Sequence, residues 1–259
     1  MIAIFDSGYG GLTVLKPILE LLPQYDYLYL GDNAKAPYGI HSPETVTEFS
    51  QKAVDYMKGR GAKLIIFACN TASATALSKI KDDKIIGVIE PSALEASKVT
   101  KNGRIGVVAT KTTINSAAYE KALKRQNKSL QIYTQACPLL VPFIEEGWHT
   151  KPEAISILKK YLMPLKNANI DTLILGCTHY PIMLKSFKKI MGRKVKIVTS
   201  GEITAKYLEE FLKANPELEK SLGKNKTRTY FTTDNPEEFK RFTENNLGMK
   251  IKTPTKINL

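Results

Sequence analysis

Short runs of β-branched and aliphatic residues alternate along this chain with longer stretches in which apolar residues recur every three to four positions. The short runs predict strands at Ile2–Phe5, Tyr27–Leu30, Leu64–Ala68, Ile85–Ile89, Ile105–Ala109, Gln131–Thr134, Thr172–Leu175, Lys196–Thr199 and Thr229–Thr232. The longer stretches predict helices at Leu12–Leu21, Pro43–Lys58, Thr71–Lys79, Ser92–Lys98, Thr113–Lys124, Lys151–Asn167, Pro181–Lys188, Gly201–Lys213 and Pro236–Asn246. Strands spaced by helices pair in parallel, with the helices as crossovers. The expected fold is therefore α/β, with mainly parallel sheets flanked by helices. In such folds ligands bind beyond the carboxyl ends of the strands.

The pattern also repeats. Lys63–Thr71 (KLIIFACNT) parallels Asp171–His179 (DTLILGCTH), each an apolar strand, a small residue, a cysteine and then polar residues that can open a helix. Ile2–Gly8 likewise parallels Arg104–Thr110. Two pseudo-symmetric lobes are expected, each presenting one thiol to a shared cleft. Residues 1–91 with 201–259 would form the first lobe and 92–200 the second, with the tail from Gly201 returning as a helix onto the first. No Gly/Ser-rich linker separates them, so the lobes should lie closely apposed.

A chain of 259 residues with 43% hydrophobic content has material for one large or two small cores. No apolar run reaches membrane-spanning length, and the opening Met1–Asp6 has neither a basic nor a long apolar leader segment. A cytoplasmic protein without a membrane partner is the expectation. The net charge of +13 raises the possibility of nucleic acid. However, the lysines are spread over helices, and the densest stretches, Lys185–Lys196 and Lys213–Arg228, hold one aromatic residue, Phe187. A solvated lysine-rich surface explains this better than a base-stacking platform. Three widely spaced cysteines without a CxxC or Cys/His cluster speak against zinc and disulfides. No metal and no organic cofactor is expected.

The candidate chemistry lies at Cys69 and Cys177. A lone free cysteine is usually a small buried hydrophobe. Each of these two follows a strand and starts a helix, where amide N–H groups and the helix dipole should lower the thiol pKa. Cys137, between Ala136 and Pro138, lacks that setting and reads as structural. Asp6-Ser7-Gly8-Tyr9-Gly10-Gly11 follows the first strand but lacks the third glycine of a dinucleotide fingerprint and the Gly-Lys-Ser/Thr of a P-loop. It suits a small anionic ligand, or an Asp6 that acts on one thiol. The turn-rich loop Gly31–Gly39 follows the second strand as a candidate binding element. His179, two residues after Cys177, could exchange a proton or bind a carboxylate.

Together Phe5–Gly11, Pro37-Tyr38-Gly39, Ala68–Ala72, Ala136–Pro142 and Gly176–Pro181, with the Thr110/Thr113/Ser116/Tyr119 spacing, resemble the glutamate racemases, in order and over nearly the whole chain. The resemblance implies a racemase that works without pyridoxal phosphate, with its active site between two α/β lobes. It implies Cys69 and Cys177 as the two bases, assisted by Asp6 and His179. Asp6, Ser7, Pro37, Tyr38, Gly39, Asn70, Thr71, Thr178 and His179 would bind substrate, with Thr113 and Glu145 as further candidates. The implied role is interconversion of L- and D-glutamate, supplying D-glutamate for peptidoglycan. The expected partners are glutamate itself and a second copy in a homodimer. Racemisation of aspartate and a nucleic-acid role from the basic surface are the alternatives. Where many members carry an acidic residue after the last second-lobe strand, this chain reads Val198-Thr199-Ser200-Gly201-Glu202. It also lacks the N-terminal extension tied to activation by a peptidoglycan precursor, so such regulation is not expected.

Overall fold

The computed structural model describes residues 1–80 and 82–259. Within them the strands are β1 (Ile2–Asp6), β2 (Tyr27–Gly31), β3 (Leu64–Phe67), β4 (Ile85–Gly87), β5 (Arg104–Ala109), β6 (Gln131–Ala136), β7 (Thr172–Gly176), β8 (Lys196–Thr199), β9 (Arg228–Thr232) and β10 (Thr255–Lys256). The first helices are α1 (Leu12–Leu21), α2 (Pro43–Gly59), α3 (Asn70–Thr75), α4 (Ile89–Val99), α5 (Lys111–Asn115) and α6 (Ala118–Gln126). They are followed by α7 (Leu140–Glu145), α8 (Pro152–Asn167), α9 (Leu184–Met191), α10 (Ser200–Ala214), α11 (Pro216–Lys220) and α12 (Pro236–Leu247). Single 3-10 turns occupy Asn33–Lys35, Tyr38–Ile40 and Tyr180–Met183.

Two sheets form, with strand orders β10-β9-β2-β1-β3-β4 and β6-β5-β7-β8. Every pairing is parallel. The second order repeats the β2-β1-β3-β4 part of the first, so β5 stands where β1 stands and β7 where β3 stands. Cys69, after β3, and Cys177, after β7, therefore occupy equivalent positions in two pseudo-symmetric lobes.

Both faces of each sheet are buried, as the near-continuous apolar strands require. In the first sheet Ile2, Ile4, Tyr27, Tyr29, Leu64 and Ile66 pack with α1 and α10, while Ala3, Phe5, Leu28, Leu30, Ile65 and Phe67 pack with α2 and α3. In the second, Leu173 and Leu175 face α7, α8 and α9, and Ile174 faces α4 and α6. Each such side chain contributes roughly 1.5–3 kcal/mol when fully buried. Ala205, Leu208 and Leu212 of α10 join the core beside Leu12, Leu15 and Ile18 of α1. Gly201 lies against α1, where a Cβ would come 2.6 Å from the Thr13 carbonyl. α4 starts at Ile89, and Ile89, Ala93 and Ala96 pack in the second core, so the division proposed at residues 91 and 92 falls in that helix's first turn.

Several local expectations change. The helix read over Thr113–Lys124 is broken into α5 and α6 by Ala117, which adopts a left-handed φ of 54°. A hydroxyl competes with the helix there: Ser116 Oγ accepts from Ala118 N–H and donates to the Thr113 carbonyl. The helix read over Thr71–Lys79 ends at Thr75, and the Pro181 stretch begins as a 3-10 turn before α9. The apolar run Pro138–Ile144, strand-sized in the sequence, folds as α7, whose Leu140, Val141 and Ile144 share one buried face.

Candidate active site

The residues that follow β1, β3, β5 and β7 meet at one small cavity between the lobes. Its lining includes Ser7 from the first strand's turn, Cys69-Asn70-Thr71, Thr110 and Cys177-Thr178-His179, closed by Pro37-Tyr38-Gly39 from one lobe and by Val141 and Glu145 of α7 from the other.

Each thiol has its own polar partners. Cys69 caps α3: its Sγ accepts from Ala72 N–H at 3.5 Å and lies 3.5 Å from Ser7 Oγ, to which its S–H donates. Cys177 Sγ is 4.0 Å from His179 Nδ1, and His179 Nε2 is 2.9 Å from Glu145 Oε1, forming a relay that runs out to α7. Asp6 is fully buried. It accepts from Gly8 N–H at 3.0 Å and, across the lobes, from Thr178 Oγ1 at 3.2 Å.

The neutral donors are equally fixed. Tyr119, from α6 of the second lobe, donates at 2.6 Å to Asn70 Oδ1. That bond orients the amide, and among the described residues nothing pairs with the buried Asn70 Nδ2. Thr71, Thr110 and Thr113 place their hydroxyls within 2.9–3.1 Å of one another, joining α3 to α5. Tyr38 is held by a 2.6 Å bond from its hydroxyl to the buried carboxylate of Asp32.

Burial governs the electrostatics. It pushes the Cys69 thiol up to about 12, with the nearby charge of Asp6 adding to the rise, despite the bonds from Ala72 and Ser7. This corrects the expectation of a thiol lowered by its helix: α3 has six residues, and its amides do not offset desolvation at a site this dry. Burial also raises Asp6 above the usual carboxylate range, against the charge of His179 and the bonds from Gly8, Gly11 and Thr178. For His179 burial opposes the charge, but hydrogen bonding and charge from Cys177 and Glu145 outweigh it and hold the imidazole well above the usual histidine range.

Two glycines let the lobes close. A Cβ on Gly10 would come 2.4 Å from Thr178 Oγ1 and 2.5 Å from His179 Nδ1, and one on Gly39 would come 2.4 Å from Thr110 Cβ. The glycine-rich turn after β1 is thus a seam between the lobes. Within that turn Gly8 N–H is committed to Asp6.

The profile described as Asp/Glu/hydantoin racemase matches residues 12–224. The chain belongs to this racemase family. It is 44% identical to the glutamate racemase of Geobacter metallireducens over 100% of this chain and 96% of that protein. The crystal structure of a glutamate racemase isoform from Bacillus anthracis superposes with a TM-score of 0.93 at 39% identity, covering 100% of this chain and 97% of that one. That of the Francisella tularensis glutamate racemase in complex with D-glutamate gives 0.90 at 34% identity, covering 99% and 97%. The two-lobed architecture is the one these racemases share.

Within this racemase fold, eleven of the thirteen residues anticipated from the sequence line the cavity directly: Ser7, Pro37, Tyr38, Gly39, Cys69, Asn70, Thr71, Glu145, Cys177, Thr178 and His179. Asp6 and Thr113 stand behind it, bonded to Thr178 and Thr71. Cys137 is fully buried in the second core. Sequence reasoning gave no role to Ala36 and Val141, which also line the cavity, or to Asp32, which holds Tyr38. It cited Thr110 and Tyr119 only as a spacing. Thr110 had a signal, since it follows β5 as Ser7 follows β1; the others depend on contacts distant in sequence. Among the described residues no three His, Cys, Asp or Glu side chains converge on a point where a metal could sit.

Proposed function

We propose that this chain interconverts L- and D-glutamate by passing the α-proton between Cys69 and Cys177, and so supplies D-glutamate for peptidoglycan. What carries the reading is the convergence of two thiols, at equivalent positions of two lobes, on opposite walls of one buried cleft. Inverting an α-carbon requires a base on one face and an acid on the other. In one direction a Cys69 thiolate takes the proton while the Cys177 thiol delivers its own to the opposite face, and in the other direction the roles exchange. The raised Cys69 pKa fits a thiolate that forms once a substrate ammonium enters beside it and beside Asp6. Protonated His179 stands ready to supply or hold a proton at Cys177. The free N–H of Asn70 and the hydroxyls of Ser7, Thr71 and Thr178 are placed to hold carboxylate and to stabilise the carbanion-like transition state in a dry site. The scheme calls for no metal and no cofactor. We further read the protein as cytoplasmic and as a homodimer; among the described residues no helix is long and apolar enough to cross a membrane.

Chiral chromatography of L- and D-glutamate and of L-aspartate incubated with the pure protein tests the proposal. Glutamate should racemise in both directions, unaffected by EDTA or hydroxylamine. Preferential racemisation of aspartate would replace glutamate as substrate, and loss of activity to either reagent would end the cofactor-free mechanism.

A further inference from the structure

The positive charge is not spread evenly over the molecule. Residues 151–196 hold ten Lys and Arg against two acidic residues, Glu153 and Asp171, a surplus of eight in 46 residues where the whole chain's surplus is 13. Asp171 is occupied: it accepts from Thr100 Oγ1 and from the N–H groups of Lys101 and Asn102. Among the described residues none of the ten cations forms an ion pair.

The fold gathers these charges. α8 and α9 lie on the same face of the second sheet, packed against Leu173 and Leu175, and Lys166 Nζ donates to the Ile190 carbonyl to tie their ends together. Lys159, Lys160 and Lys166 are exposed on α8, and Lys185, Lys188 and Lys189 on α9. Three more exposed cations fall in residues 193–196, the turn into β8. Beyond β8 the signs mix again, with Glu95, Glu202 and Glu210 beside Lys98 and Lys206. Cations near a helix C-terminus offset its dipole, which accounts for Lys166, Lys188 and Lys189 but not for the other six.

Both helices run from the cleft end of the sheet toward its amino-terminal edge, so the charge concentrates away from the active site. The surface is broad, spanning two side-by-side helices. It is built almost wholly of lysine; of the rings on α8 and α9, Phe187 is fully buried and Tyr161 is half-buried against the second core. Base readout relies on arginine forks and stacked rings, and this face offers a single arginine, Arg193, and no exposed ring. A dense lysine face without exposed aromatic or apolar anchors is complementary to a diffuse sheet of negative charge.

We infer that the α8–α9 face docks the protein on the surface of an anionic lipid bilayer, with the cleft left open to solution. The absence of a spanning segment does not bear on this, because surface attachment requires only charge. Each Lys or Arg near such a surface contributes on the order of 1 kcal/mol.

The test is co-sedimentation of the full chain with phosphatidylcholine vesicles containing about 30% phosphatidylglycerol, against pure phosphatidylcholine, from about 50 to about 300 mM salt. Binding should require the anionic lipid and weaken steeply with salt. K160E/K185E/K188E/K189E should weaken it by about 100-fold or more. The control K63E/K128E/K250E/K252E, with the same net charge at exposed sites elsewhere, should retain most of it. Circular dichroism and the racemisation rate report folding, and the four glutamines at the same positions replace the reversals if those fail to fold. Equal loss in patch and control variants would show that net charge alone acts and overturn the inference. So would failure to bind anionic vesicles at the lowest salt, or binding of duplex DNA through the same lysines in place of vesicles.

Discussion

Cys69 and Cys177 face each other from opposite lobes but in unlike surroundings. Cys69 has Ser7, the Ala72 amide and the carboxylate of Asp6; Cys177 has an imidazole backed by Glu145. Unlike settings suit unlike duties, and by the family resemblance Cys69 should serve the D-enantiomer and Cys177 the L-enantiomer. An analogue that eliminates a β-substituent after deprotonation needs one base only. A hydroxyl has a far higher pKa than a thiol and is a poor base. Cys69→Ser should therefore lose elimination from the D-form by orders of magnitude and keep it from the L-form, with Cys177→Ser behaving in reverse. Equal losses for both enantiomers in both variants would dismiss the two-base scheme. The cysteines were legible in sequence because a cysteine between a strand and polar helix-starting residues occurs twice. The raised basicity of Cys69 was not, since desolvation depends on what packs over the thiol.

At the scale of elements, short connections after the strands hold the lobes together. The loop carrying Tyr38 and Gly39 is strapped to α5 by Thr112 Oγ1, which lies 3.0 Å from the Gly39 carbonyl and 2.9 Å from that of His41. On the other side Thr13 Oγ1 donates at 2.8 Å to the Thr178 carbonyl. Between these ties Gly10 presses on Thr178 and His179. Gly10→Ala should displace both residues. A shift of about 1 Å at a catalytic group costs on the order of 100-fold, so kcat/KM should fall at least that far while circular dichroism stays unchanged. Gly59→Ala, where nothing lies within 4 Å of the added carbon, is the control and should keep full activity. Racemisation within threefold of wild type by Gly10→Ala would mean that this contact does not set the geometry. Gly10 was visible as part of a turn, but its partners Thr178 and His179 lie more than 160 residues away, and local pattern carries no trace of them.

Over the whole molecule, the buried seam ties stability to pH. His179 has a folded pKa above its unfolded value of about 6.5, so its contribution is complete below that pH and is lost as pH rises through the folded value. Asp171 has the opposite sign: bonds from Thr100, Asn102 and Lys101 outweigh burial and lower its pKa, so its contribution is lost as pH falls through the folded value. The difference in urea midpoint between wild type and His179→Gln should be largest near pH 6 and shrink as pH rises through the folded value; a difference that grows with pH would contradict a protonated His179 in the fold. The strand–helix alternation, the internal repeat and the paired cysteines were determined by sequence alone, because hydrophobic period and turn chemistry are local and each strand carries its own. The breaking of the helix after Thr113, the folding of Pro138–Ile144 as α7, the holding of Asn70 by Tyr119 and of Tyr38 by Asp32, and the gathering of lysines on α8 and α9 were decided by tertiary structure. Each depends on which surface a residue meets across the fold, and burial, which raises the pKa of Cys69 and Asp6 and is outweighed at His179 by Cys177 and Glu145, exists only once the lobes have closed.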